Sequence, residues 1–249
     1  RQYRADDNHV SLARVENRIG SLFMQLGTAD SAQVYFVRAL EWARTFAGPA
    51  DVATIAANLA QLGGLPTDQK IALTREAYRI RTAERDTVRA AMLAIRLSRA
   101  FLSVRVVDSA RTYASRAGNM CRVRRDMECE GQALYAIANS FVSRATDSAF
   151  KYYSLASRQL VSAGRVSDAA EALSSIALLF SGFQQLDSSE VYLKSALRML
   201  PADSGWRVRL LVQGQLEPLY RSMGQPERAD SARREESRIF ARYSRDSLT

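Results

Sequence analysis

The only histidine in these 249 residues is His9. A His-based triad or a multi-histidine metal site therefore cannot be assembled within this sequence. His9 lies close to the start of the chain and reads as a surface residue. Two carboxylate pairs, Asp6-Asp7 and Glu235-Glu236, have the residue type for acid–base work. Their charged surroundings place them on solvated faces or at helix ends. The glycines stand singly as caps and turns, so no loop is built to cradle a phosphate. Cys121 and Cys129 are eight residues apart in a charged connector, which is neither a CxxC redox pair nor zinc-finger spacing. Two free thiols is the plainer reading, and a disulfide across that turn stays open for an exported protein. The many serines recur beside aspartates, where helix ends account for them. The expectation is a chain that is not an enzyme and carries no cofactor or metal.

Charge narrows the partners. The net charge is +9, from 35 basic and 26 acidic residues, and only three of the basic ones are Lys (Lys70, Lys151 and Lys194), which leaves 32 Arg. A nucleic-acid binder gathers such charge on one face. Here it is mixed with acid in every segment, as in RTAERDTVR (Arg81–Arg89), so nucleic acid is the less favoured partner. No apolar run approaches the roughly 20 residues that cross a membrane. Nearly half of the residues are apolar and only five are Pro, enough for a sizeable core. The first residue is Arg rather than Met, and a processed product or a piece of something longer is expected.

The elements that would position any site announce themselves by repetition. Asp-Ser-Ala occurs at Asp30, Asp108, Asp147 and Asp230, with a near copy at Asp187 and a degenerate one at Asp68. The intervals are 38, 40, 39, 40 and 43 residues, the fixed period of a solenoid. Counting from Asp, an aromatic stands five residues later at Tyr35, Tyr113, Tyr152 and Tyr192, and an Ala nine later at Ala39, Ala77, Ala117, Ala156 and Ala196. An N-capping role for the Asp explains its place, since its carboxylate accepts from free backbone N–H groups. The small residues and the large one between them make one helical face.

Each Asp motif is preceded by an apolar stripe. The stripes are Val15, Ile19, Leu22, Phe23 and Leu26; Val52, Ile55, Leu59 and Leu62; Leu93, Leu97, Ala100 and Phe101; Leu134, Ile137 and Phe141; Leu173, Ile176, Ala177 and Phe180; and Leu210, Leu216, Leu219 and Tyr220. Gly48, Gly118 and Gly164 fall where second helices should end, Pro49 where the next begins, and Pro218 should kink its helix. The reading is twelve helices in about six hairpins, an all-α chain with no strand.

These residues resemble the tetratricopeptide-repeat (TPR) family. Its small–aromatic–Ala signature is met by Ala32–Phe36–Ala39 and Ala149–Tyr153–Ala156, and with Leu as the large residue by Ser189–Leu193–Ala196. Its first-helix pattern is met by Gly20–Phe23, Ala177–Phe180 and Ser98–Phe101. The closing Pro appears only at Pro201, and second helices that run on for an extra turn would lengthen the period beyond the family's usual ~34 residues. Repeat two lacks the aromatic and inserts GGLPT, and repeat six has Glu236 and Ile239 where the register needs an aromatic and Ala. The resemblance implies an α-α superhelix, one array over 1–249 with approximate repeats 5–47, 48–84, 85–118, 124–164, 166–201 and 204–243. The last helix, rich in Arg and Glu, would serve as a polar cap.

Long-helix repeats of this kind resemble those of kinesin light chains, bacterial peptide-sensing regulators and bacterial sensor regions. The resemblance implies a non-catalytic scaffold or sensor module of a larger bacterial signalling protein, cytoplasmic or periplasmic, that binds a protein or peptide segment in a concave groove. A nucleic-acid-binding repeat protein and a structural subunit of a fixed assembly are the alternatives. In this architecture first helices line the groove, and the register places Arg14, Asn17 and Gln25, then Arg96 and Arg99, then Gln132, Tyr135 and Asn139 on it. Arg would hold a carboxylate bidentately, and Asn or Gln would fix a peptide backbone. The two-carboxylate clamp of chaperone-binding relatives is not reproduced, so chaperone tails are not expected.

Overall fold

A computed structural model of the chain describes residues 2–201 and 205–245. Among them are twelve α-helices and no strand. They form two compact units, divided between Arg124 and Arg125. In the first, α1 (Gln2–Gln25), α2 (Ala29–Phe46), α3 (Pro49–Leu59), α4 (Thr67–Ala83), α5 (Thr87–Ser103) and α6 (Val107–Val123) pair as three successive hairpins. The second repeats this with α7 (Met127–Phe141), α8 (Thr146–Ser162), α9 (Val166–Gly182), α10 (Leu186–Met199), α11 (Trp206–Ser222) and α12 (Pro226–Arg245). The side chains of Asp6 and Asp7 and the expected repeat edge at 204 lie outside the described residues.

The period has a simple origin. Helices α5, α6, α8 and α9 are each 17 residues long, and three-residue turns follow them. Both helices of a hairpin are long, not only the second, so the half-repeat is regular. After α1, α4, α5, α8, α9 and α11 the turns close as Schellman motifs. After α5 the amide of Val106 donates to the carbonyl of Phe101 (2.9 Å) and Arg105 to Leu102 (3.0 Å), and after α9 Gln185 and Gln184 donate to Phe180 and Ser181 in the same pattern. This motif needs one residue at positive φ. Gly27, Gly164 and Gly224 supply it, but so do Arg85, Arg105, Arg125 and Gln184, with φ between 57° and 61°. A side chain there is disfavoured by roughly 1 kcal/mol relative to Gly.

Several sequence expectations change at the helix ends. Asp30, Asp68, Asp108, Asp147 and Asp187 sit inside the first turn of their helices and complement the dipole there, while the residues at the caps of these helices make no side-chain capping bond. True aspartate caps lie on first helices instead: Asp86 accepts from the amide of Arg89, and Asp126 from that of Cys129. Gly48 caps the start of α3 rather than the end of α2, and α6 runs on through Gly118 to Val123 because the turn residue is Arg125. Helix α11 is continuous through Pro218. Neither cysteine is a free thiol: Cys121 and Cys129 are both disulfide-bonded.

Packing inside each hairpin follows the small-residue register. Ala39, Ala77, Ala117, Ala156 and Ala196 are all fully buried, which lets the helices approach closely. A Cβ at Gly20 would lie 2.9 Å from the Phe36 ring, and one at Gly131 only 2.6 Å from Leu160 Cγ. Where the first helix ends, an aromatic stacks on the tyrosine that opens the second. The pairs are Phe23–Tyr35, Phe101–Tyr113, Phe141–Tyr152 and Phe180–Tyr192, with ring centroids 5.3–5.6 Å apart. The last hairpin substitutes a cation, with the Arg228 guanidinium 4.1 Å from the Tyr220 ring. Arg228, Lys194 and the Tyr220 hydroxyl converge on Glu190. Burial pushes the Glu190 carboxyl up, but the bonds from Lys194, Arg228 and Tyr220 outweigh it and hold the group below its ordinary value.

The first helix departs from expectation. Its core-facing residues are Ala13, Glu16, Gly20 and, from the assigned stripe, Phe23 on Tyr35, while Val15, Leu22 and Leu26 are 50%, 59% and 74% exposed. No described helix precedes α1 to cover that side. Likewise His9 is not a free surface side chain: its ring stacks on Trp42 and Phe46 at 4.8 and 4.4 Å.

Two outcomes follow for stability. Gly131→Ala should cost about 1–3 kcal/mol by overpacking, whereas Arg105→Gly should stabilise by about 1 kcal/mol, both read from urea unfolding. Because the carboxyl of Glu190 is depressed on folding, its contribution is complete above the unfolded value of about 4.3 and fades as pH falls through the lower folded one. The drop in stability between neutral pH and pH ~3 should therefore be smaller in Glu190→Gln than in the parent.

Candidate functional site

First helices within each unit lie side by side, and their facing polar residues bond to one another. In the first unit Arg14 grips Asp51 with two bonds, Nε to Oδ1 at 3.1 Å and Nη2 to Oδ2 at 2.9 Å. Asn58 Nδ2 donates to Asn17 Oδ1 at 2.9 Å, and Gln25 stands exposed at the end of α1. In the second unit Gln132 Nε2 reaches Glu128 Oε1 at 3.4 Å. The Tyr135 hydroxyl donates to Glu171 Oε1 at 3.2 Å and lies 3.0 Å from Ser175 Oγ. Asn139 accepts from the Tyr153 hydroxyl, whose own ionisation is pushed up, chiefly by burial. Ser174 Oγ donates to Gln215 Oε1 at 2.9 Å, carrying the chain of bonds from α9 to α11. Of the expected residues, Arg14, Asn17 and Tyr135 bond to the neighbouring first helix, Asn139 bonds to α8, and Gln132 bonds within its own helix.

Arg96 is different. It projects from α5 into a cavity of about 220 Å³ walled by Ala53, Thr54, Ala57 and Asn58 of α3, Gln61 of the turn after it, Arg81 of α4, and Arg89, Met92 and Leu93 of α5. Its side chain is half-buried, it makes no ion pair among the described residues, and its one bond is a long 3.4 Å contact from Nη1 to the Ala57 carbonyl. Burial first, and the charge of Arg99 second, depress its pKa. Arg99 is exposed one turn away. The other cavity arginines are occupied. Arg81 is 6% exposed and bonds to Glu84 (2.9 Å), the Ala50 carbonyl (2.9 Å) and Thr54 Oγ1 (2.6 Å), while Arg89 pairs with Asp86 at 2.7 Å.

Sequence reasoning named Arg96, which lines this cavity, and Arg99, which does not, but missed Thr54 and Asn58 of α3 and Gln61 just after it. Their spacing of four and three residues was available as a helical face, although the apolar stripe beside it carried the stronger signal. A larger cavity of about 590 Å³ lies between α10, α11 and α12. Of its four cations, Lys194 and Arg228 are bound to Glu190, Arg238 pairs with Glu235, and Arg234 is exposed.

No protein-family profile matches the chain, and no curated protein matches it. Solved structures do. A signal transduction ATPase with numerous domains from Pyrococcus horikoshii, which carries a tetratricopeptide repeat sensor, superimposes with a TM-score of 0.74 at 12% identity over 96% of this chain. The chain has the tetratricopeptide-repeat fold. It spans 38% of the length of that ATPase. BtubC (BKLC) from P. vanneervenii matches with a TM-score of 0.68 at 17% identity, covering 87% of this chain and 92% of that one. The Rap conjugation gene regulator of the plasmid pLS20, solved in complex with the Phr* peptide, matches with a TM-score of 0.57 at 13% identity over 93% of this TPR chain and 64% of the regulator.

The two buried arginines separate structural from spare charge. Arg81→Gln breaks a buried pair and should cost about 3 kcal/mol. Arg96→Gln removes a charge that folding disfavours, so it should leave the urea midpoint unchanged or raise it.

Proposed function

We propose that the chain is a non-catalytic interaction module whose first-helix face takes a peptide or protein segment, anchored by a carboxylate on Arg96. The observation that carries this is the half-buried Arg96 guanidinium, held in a cavity without a counter-ion among the described residues. Desolvated arginine binds carboxylate bidentately and strongly, and a site that keeps such a charge at the expense of stability is a functional candidate. Asn58 and Gln61 beside it offer both donors and acceptors to an extended backbone. Arg14, Asn17, Gln25, Arg99, Gln132, Tyr135 and Asn139 would be the further contacts in the groove. Peptide binding by a regulator of the same fold, solved with the Phr* peptide, supports the reading by analogy of architecture. The module would serve as sensor or scaffold within a larger bacterial protein, and no small-molecule cofactor is required. Mixed charge on these faces, with Asp51, Glu128 and Glu171 among the cations, disfavours nucleic acid, whose binding needs an unbroken basic surface.

The test is a screen of short peptides against the purified chain, with Arg96→Glu/Arg99→Glu as the control. Retention of acidic peptides in the micromolar range, weakened at least about tenfold in the double variant, is the expected result. Equal binding by parent and variant, or capture of nucleic acid alone with release at moderate salt, would remove the proposal.

A further inference from the structure

A further cavity, of about 330 Å³, opens in the second unit between the start of α8 and the end of α9, inside the range of about 300–1,000 Å³ of small-ligand sites. Its walls are Phe150, Leu179, Phe180 and Phe183, and Asp147 is the only charged residue that lines it. The rings form a fixed nest. Phe180 stacks on Tyr192 at 5.3 Å, and Phe150 stands nearly perpendicular to both, at 5.8 and 6.3 Å. Yet Phe183 is 60% exposed and Phe150 36%. The sequence singles out Phe150. Three residues after the recurring Asp the other copies carry Gln33, Ile71, Arg111, Glu190 and Arg233, so this copy alone sets a ring in the same cavity as the carboxylate.

We infer that this cavity is a binding site for an arginine side chain carried by a partner protein segment. Charge selects the occupant. The cavity's single charge is negative in a chain of net charge +9, whereas the two cavities described above are lined by three arginines each. Asp147 is exposed, and its carboxylate joins no ion pair among the described residues. The face of an aromatic ring attracts a cation. A guanidinium lies flat on such a face while its N–H fork turns to a carboxylate. Lysine, a compact and strongly hydrated ammonium, suits the site less. An apolar side chain would cover the rings but gain nothing from Asp147, and an anion would be repelled by it. The site takes the opposite charge from the Arg96 cavity and does not rest on it.

The test is a titration of the full chain with matched short peptides that carry arginine, citrulline or leucine at one central position, followed through the ring protons of Phe150 and Phe183 by nuclear magnetic resonance. The arginine peptide should shift these signals in a saturable way and bind at least about threefold tighter than the other two. Asp147→Asn and Phe183→Leu should each weaken it by about two- to fivefold with unchanged circular dichroism. Leu26 already holds the equivalent turn position after α1, so Phe183→Leu keeps the fold. Arg96→Glu/Arg99→Glu should leave this binding unchanged. Equal binding of the three peptides, ring signals that do not move, or a preference that survives both variants would overturn the inference. So would ring shifts that grow with protein concentration alone, because an arginine of a second copy would then be the occupant.

Discussion

Every hairpin in this protein has to fix the angle at which its second helix leaves the first, and an aromatic clasp sets it in four of six. Phe23–Tyr35, Phe101–Tyr113, Phe141–Tyr152 and Phe180–Tyr192 are near-parallel stacks that sit across the turn. Each such pair adds about 0.5–1.5 kcal/mol beyond the area it buries. More important is what the clasp holds in register. With the turn clamped, and closed by a Schellman motif after α1, α5 and α9, the small residues two and nine after Asp fall opposite the first helix and allow close approach. Phe36 can then enter the space left by Gly20. The other faces of the first helices remain free to meet their neighbours. The bonds between α1 and α3, and between α9 and α11, depend on that placement.

The repeat was legible because it is written in residue types that have one good use. A buried column of alanines and a tyrosine at constant offset mark helix packing, and the aromatic partner in the preceding stripe was visible too. Caps were not legible in the same way. Aspartate suits an N-cap and the first turn alike, so Asp30 and Asp147, two positions beyond the caps Thr28 and Ala145, were read as the caps. Turn ends were obscured because Arg85, Arg105, Arg125 and Gln184 hold the positive-φ position that glycine normally marks. The stripe on α1 misled for another reason. Small and polar residues, Ala13, Glu16 and Gly20, take the face that packs on α2, and an apolar pattern alone does not mark that face.

The site shows the same division. The register of the first helices set these side chains on one expected face, and in the structure Arg14, Asn17 and Tyr135 bond to the next first helix of their own unit while Gln25 and Arg99 stand exposed. It could not show that Arg14 is held by Asp51 or that Tyr135 is engaged by Glu171 and Ser175, because those partners lie some forty residues away on another helix. Arg96 stands out only once its surroundings are known. Among the cavity arginines, Arg81 and Arg89 have carboxylates within 3 Å, and Arg96 has none among the described residues. A fold that satisfies its other buried cation so fully leaves this one for a partner.

The most direct measurement is nuclear magnetic resonance of the arginine Nε–H groups during titration with an acidic peptide. If the first-helix face of the first unit is the binding surface, the Arg96 and Arg99 signals move in a saturable way while that of Arg81 stays fixed. Signals that do not move, or a shift of Arg81 together with the rest, would contradict the account.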